Sequence, residues 1–134
     1  MTEHPHRILL VEDEDLNRTL VKAVLARAQI QAVRDAEVLD AGSLATARER
    51  LRDDDVDLVL LDMNLPDGNG LTLARELAAD GPPPGRQRPV VVAVTASVLP
   101  QDRAAALAAG CDAFLDKPYA AADLVAVVAE HLPR

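Results

Sequence analysis

The sequence predicts an α/β protein: a doubly wound, five-stranded parallel sheet with helices packed on both faces. Two observations predict it. Short apolar runs alternate with helix-period segments five times along the 134 residues. The runs are nearly continuous Val and Leu rather than apolar-polar alternation, the pattern of strands buried on both faces by crossover helices. A chain of this length suits one domain with one sheet, here residues 1–134 with a core over about 7–132.

The first strand is Arg7–Val11 (RILLV). Leu16, Leu20, Val21, Val24, Leu25 and Ala28 then recur at spacings near four, which makes an amphipathic helix. Between Ala28 and Asp35 the pattern permits either a longer helix or a loop. A second strand falls at Glu37–Ala41, and Ser43 is a suitable N-cap for a helix with Leu44, Ala47 and Leu51 on one face. The third apolar run, Val56–Leu61 (VDLVLL), ends at Asp62. A turn (LPDGNG) leads into a helix using Leu71, Ala74 and Leu77. Gly81–Pro89 cannot be regular structure, because proline lacks the backbone donor and fixes φ. Val90–Thr95 (VVVAVT) is the fourth strand, and an Ala-rich helix over about Gln101–Ala109 stops at Gly110. Ala113–Asp116 is the fifth strand. Leu124, Val127, Val128 and Leu132 mark the last helix.

The net charge of −8 argues against nucleic acid as a direct partner, since a phosphate backbone is bound by neutralising it with Lys and Arg. The single cysteine, Cys111, excludes an internal disulfide and is expected to be a small buried residue. No apolar run approaches the roughly 20 residues of a membrane span, and the start MTEHPHR lacks a signal-peptide core, so a cytoplasmic location is expected. His4, His6 and His131 lie near the ends and are read as surface residues.

In an open parallel sheet, ligands bind beyond the carboxyl ends of the strands. Glu12 and Asp13 follow the first strand, Asp62 the third, Thr95 closes the fourth, and Lys117 and Pro118 follow the fifth. Three carboxylates on one rim need a reason to be together. Two unit charges 4 Å apart repel by roughly 4 kcal/mol at an effective dielectric near 20. Such a group either shifts its pKa values or binds a cation. Oxygen ligands without His or Cys favour a hard ion, and Mg²⁺ is the ordinary choice where phosphate is also present. A carboxylate can also attack phosphorus to form an aspartyl phosphate. Lys117 is one of two lysines, with Lys22, in a chain that otherwise uses Arg, which points to a site needing a point charge rather than a fork.

Val11-Glu12-Asp13-Glu14, Leu61-Asp62-Met63-Asn64-Leu65-Pro66-Asp67-Gly68, Val94-Thr95-Ala96 and Asp116-Lys117-Pro118 together resemble the receiver domain of two-component response regulators. The resemblance covers about residues 7–132. It implies a flavodoxin-like (βα)5 fold with strand order 2-1-3-4-5. It also implies Asp62 as phosphoacceptor, Glu12 and Asp13 as the acidic pair around Mg²⁺ (or Mn²⁺), and a backbone carbonyl of Asn64 on the metal. Thr95 would move toward the phosphoryl group, Lys117 would pair with it, Pro118 would follow a cis peptide, and Phe114 would be the switch aromatic. The implied partners are a histidine kinase or histidine phosphotransfer protein, and a further protein met through the fourth helix, fifth strand and fifth helix. Such a domain is a signalling switch that catalyses only its own phosphorylation and dephosphorylation.

Each residue has a plainer reading. Glu12 and Asp13 could cap the first helix, Thr95 could be an ordinary β-branched strand residue, and Lys117 a solvated charge. Two other functions compete as well. An aspartate-nucleophile phosphatase would place a second acid two residues after the nucleophile, where this chain has Asn64. A phosphorylation-independent pseudo-receiver would usually have lost an acid or the lysine, and this chain keeps Glu12, Asp13, Asp62, Thr95 and Lys117. The ends of the chain favour a stand-alone regulator over a receiver cut from a hybrid histidine kinase. The small polar residues Asn64 and Ser97 leave water access open, so a phosphoryl lifetime of minutes is expected.

Overall fold

The computed structural model describes residues 5–81, 87–96 and 99–132. Five parallel strands, β1 (Arg7–Val11), β2 (Glu37–Ala41), β3 (Leu58–Asp62), β4 (Val90–Thr95) and β5 (Ala113–Asp116), form one sheet in the order β2-β1-β3-β4-β5. Five longer helices alternate with the strands, four connecting them and the last following β5: α1 (Asp15–Ala26), α2 (Leu44–Asp53), α3 (Gly70–Asp80), α4 (Pro100–Ala109) and α5 (Ala121–His131). This is the doubly wound parallel sheet that the apolar runs predict.

The period-2 geometry of the strands divides the core. Ile8, Leu10, Leu58, Leu60, Val92 and Val94 face one side, where Val21 and Leu25 of α1 and Leu124 and Val128 of α5 cover them. Leu9, Val11, Val59, Leu61, Val91 and Ala93 face the other, under Ala47 of α2, Leu73 and Ala74 of α3, and Ala106 of α4. The side chains of β3 are all buried, Asp62 included. Burial of that strand on both faces explains its continuous Leu/Val run, and places its last residue at the middle of the sheet's rim.

The boundaries differ from the apolar pattern at four places. The third strand begins at Leu58 rather than Val56. Val56 is buried but precedes the sheet, and Asp57 closes its base: its carboxylate accepts the Arg7 N–H at 2.8 Å, and its backbone joins Arg7 and Val90. Between α1 and β2 the chain makes one helical turn, Gln31–Arg34, because Val33 inserts fully buried into the α1–α5 side of the core. The fourth helix begins one residue early, at Pro100, where a missing N–H costs nothing in a first turn. Leu132 lies just beyond α5 yet packs into the core. Gly110 ends α4 in the left-handed conformation at φ 103°. Of the Gly81–Pro89 stretch, residues 82–86 lie outside the described residues, as do His4 and Ser97.

Capping is local. Ser43 accepts the Thr46 N–H and Asn69 accepts the Leu71 N–H. Cys111 is buried, and burial pushes its thiol up to about 11, so it is an inert core residue. His131 sits half-buried with Nδ1 2.9 Å from the Val127 carbonyl.

Candidate functional site

The carboxyl ends of β1, β3, β4 and β5 open on a single rim. Glu12 follows Val11, whose side chain is fully buried, and is itself only 6% exposed. It is held at both ends. Its N–H donates to the Ala41 carbonyl at 2.9 Å, and its own carbonyl accepts from Arg18 Nη1 at 2.7 Å. Its carboxylate accepts from the Glu14 N–H and from Asn17 Nδ2, both at 3.2 Å. The N-cap position of α1 falls to Glu14. Asp13 stands next to Glu12 with an exposed side chain.

Asp62 closes β3 and is 7% exposed, with Oδ1 accepting the Asn64 N–H at 3.3 Å. One carboxylate oxygen from each of Glu12, Asp13 and Asp62 lies within 4.8 Å of the others. Lys117 enters from the opposite side. Its N–H donates to the Thr95 carbonyl at 2.8 Å, and its Nζ stands 3.4 Å from Asp62 Oδ1 and 4.0 Å from Glu12 Oε1. The Lys117–Pro118 peptide is cis.

Thr95 is half-buried at the end of β4, in register with Asp116. Asn64 is exposed, in a two-residue antiparallel ladder with Asn69. Phe114 is half-buried on β5, with the Arg103 guanidinium 5.1 Å from its ring centre. It lines a cavity of about 460 Å³ together with Met63, Thr95 and Ala106. The structure therefore brings Glu12, Asp13, Asp62 and Lys117 into one pocket, with Thr95 and Asn64 on its rim.

The electrostatics follow from this crowding. Burial is the largest influence on Glu12 and pushes its carboxyl above the ordinary value. The Glu14 N–H works against that rise, the neighbouring Asp62 charge adds to it, and Lys117 opposes it weakly. Tyr119 is likewise raised, chiefly by burial. A proton on Glu12 and a cation in the pocket are thus alternative ways to neutralise a buried carboxylate that stands beside a second one. Three carboxylates with no nitrogen or sulfur ligand suit a hard divalent ion. The buried, ammonium-paired Asp62 has the setting of an oxygen nucleophile.

The supporting roles of three residues, Asp67 of the quoted motif among them, are not assigned by the sequence. At Gly70 an added Cβ would come 2.2 Å from the Asp62 carbonyl oxygen, so the start of α3 closes directly on the backbone of Asp62. Asp67 accepts the Leu44 and Ala45 N–H groups at 2.8 and 3.1 Å, tying the loop after Asp62 to the start of α2. Arg18 holds the backbone of Glu12, as above. The paired glycines of Asp67-Gly68-Asn69-Gly70 were the available signal for the first two, although as a bare sequence they read as turn punctuation.

Comparison with known proteins identifies the family. The family model for the response regulator receiver domain matches residues 8–129. The aerobic respiration control sensor protein ArcB of Escherichia coli is 37% identical over 121 residues, which is 90% of this chain but 14% of ArcB. The chain thus spans a small part of that relative. The two-component response regulator ORR41 of Oryza sativa is 35% identical, with 92% of both chains covered. Among solved structures, the receiver domain of sensor histidine kinase PA1611 from Pseudomonas aeruginosa, with a magnesium ion coordinated in its active site cleft, is 29% identical. It superposes with a TM-score of 0.77 over 96% of this chain and 98% of that one. A response regulator from Chloroflexus aurantiacus gives 0.81 at 27% identity, over 98% of this chain and 100% of that one. With the motif order, the strand order and the acidic pocket in agreement, this chain belongs to the response regulator receiver domain family of two-component signalling.

Proposed function

We propose that Asp62 accepts a phosphoryl group from a phosphohistidine carried by a histidine kinase or histidine phosphotransfer protein. The observation that carries this reading is the convergence of Glu12, Asp13 and Asp62 within 4.8 Å, with the Lys117 ammonium 3.4 Å from Asp62. An Asp62 oxygen forms the new bond to phosphorus while the phosphorus–nitrogen bond breaks and the imidazole leaves with its electron pair. Lys117 meets the negative charge of the transferred group and Thr95 donates to one of its oxygens. Glu12, Asp13, Asp62 and the Asn64 carbonyl would hold Mg²⁺ (or Mn²⁺), which supplies neutralisation of charge at the transferring phosphoryl group. The all-oxygen donor set favours that ion, and the magnesium-bound PA1611 receiver supports the assignment.

The added negative charge then draws Thr95 and Lys117 together and biases β4, α4 and β5 toward a second arrangement. Phe114 changes rotamer with it, and the α4-β5-α5 face meets the downstream partner. The whole described chain acts as one receiver unit, with the phosphoryl group lost over minutes. Among the described residues no helix is long and apolar enough to cross a membrane.

Receivers serve both within sensor proteins, as in ArcB, and across most of the length of a regulator, as in ORR41. We favour the stand-alone form here, and the intact mass of the endogenous protein tests it: a mass well above 14.3 kDa overturns it. The phosphoacceptor assignment is tested by Mg²⁺-dependent labelling with acetyl phosphate. Wild type is expected to take up one phosphoryl group and Asp62→Asn none. Normal labelling of that variant sinks the assignment, and no labelling of correctly folded wild type favours a phosphorylation-independent interaction module.

A further inference from the structure

Arg18 joins three elements beside the acidic pocket. It lies on α1, and its Nη1 donates to the Glu12 carbonyl at 2.7 Å while Nη2 pairs with the Asp15 carboxylate. One guanidinium therefore closes a ring over residues 12–15, the loop that carries Asp13. The third element is the end of β2, which approaches so closely that a Cβ added at Gly42 would come 3.0 Å from Arg18 Nη1. Gly42 follows Ala41, whose carbonyl already receives the Glu12 N–H. Both backbone polar groups of Glu12 are thus satisfied by neighbours that meet at one point.

We infer that Arg18, in the space left by Gly42, is a positioning residue that fixes Glu12 and Asp13 in the geometry needed to share a divalent cation with Asp62. This rests on the metal-binding reading above. A guanidinium suits the task because its planar fork reaches two acceptors at once with little further ordering, which the single ammonium of lysine cannot copy. The alternative is that Arg18 matters only as a charge. The two roles predict opposite signs. Removing a cation near three carboxylates, with Asp15 left unpaired, would by charge alone strengthen cation binding. Loss of a ligand-orienting contact weakens it.

The test is calorimetric titration of Mg²⁺ into wild type, Arg18→Ala, Arg18→Lys and Gly42→Ala, with thermal unfolding in parallel. The expected result is Mg²⁺ binding weakened roughly tenfold by Arg18→Ala, the low end for outer-shell partners. Weakening by Arg18→Lys should be nearly as large, and that by Gly42→Ala smaller, because a flexible side-chain end must shift there. Labelling by acetyl phosphate should fall at low Mg²⁺ and recover at saturation. Unchanged or tighter Mg²⁺ binding in the folded variants overturns the inference. Should Arg18→Ala fail to fold, Arg18→Lys and Gly42→Ala decide alone by the same criterion. Absence of Mg²⁺ binding in wild type would instead overturn the metal-binding reading on which this one rests.

Discussion

The Lys117 ammonium stands 3.4 Å from Asp62 Oδ1 and 4.0 Å from Glu12 Oε1, a cation facing the two buried acids of the pocket. Lys117 is thus placed to offset repulsion in the metal-free pocket and, on the proposed function, would pair with the new charge in the phosphorylated one. Lys117→Met separates these roles. Removing the competing positive charge should tighten Mg²⁺ binding, while acetyl phosphate labelling at saturating Mg²⁺ falls roughly 100-fold, as for loss of one charge-stabilising donor. Titration calorimetry and a labelling time course measure the two separately. Weaker Mg²⁺ binding would contradict the electrostatic account.

Gly70 meets Asp62 through the backbone. An added Cβ would sit 2.2 Å from the Asp62 carbonyl oxygen and 3.1 Å from Leu61 Cγ, so the strand end or the helix start must move. Gly70→Ala should lower unfolding stability by about 2 kcal/mol, in the range of overpacked cores. It should also reduce labelling in the protein that remains folded. Urea unfolding gives the first value. An unchanged midpoint would show that the loop absorbs the methyl group without displacing Asp62.

The raised pKa of Glu12 gives the metal-free protein a definite pH signature. Between the ordinary value of 4.5 and its raised value, the folded chain binds more protons at Glu12 than the unfolded chain does. That contribution to stability is complete below 4.5 and is lost as pH rises through the raised pKa. Asp40 and Glu76 are shifted down by Lys22 and Arg48, so their contributions are lost on acidification, in windows below their ordinary values. In chelator, the stability of Glu12→Gln relative to wild type should therefore increase as pH rises above 4.5. Added Mg²⁺ should stabilise wild type more than the variant at neutral pH. Thermal midpoints from acid to neutral pH check this, and parallel curves for the two proteins would contradict it.

Ser43 shows the same local logic away from the pocket. Its hydroxyl accepts the Thr46 N–H at 3.2 Å, while Asp67 satisfies Leu44 and Ala45 from across the fold. Ser43→Ala should cost about 1 kcal/mol, the usual value of an N-cap. Labelling should be unaffected, because the Asp67 tie to the loop after Asp62 persists. Chemical denaturation and the labelling rate test this together.

The fold was legible because its strands are buried on both faces, so Val59–Leu61 and Val91–Val94 declare themselves by continuous apolar character. The pocket was legible because its charged residues sit where such strands end. What escaped depends on contacts that sequence does not carry. Asp57 looks like the second residue of an apolar run, yet it turns its carboxylate back onto the Arg7 N–H. Val33 belongs to a stretch with no clear period, and only the space between α1 and α5 makes it core. Gly70 and Gly42 are marked by what approaches them, the Asp62 carbonyl and the Arg18 guanidinium. Neither neighbour is visible until the chain is folded.

The most direct test of the central claim is to locate the phosphoryl group. Wild-type protein labelled by acetyl phosphate in Mg²⁺ would be reduced with borohydride, which converts an aspartyl phosphate to homoserine, and the peptides sequenced by mass spectrometry. The account predicts the conversion at Asp62 alone, absent without Mg²⁺ and absent in Asp62→Asn. Conversion at another acidic residue, or labelling independent of Mg²⁺, would contradict it.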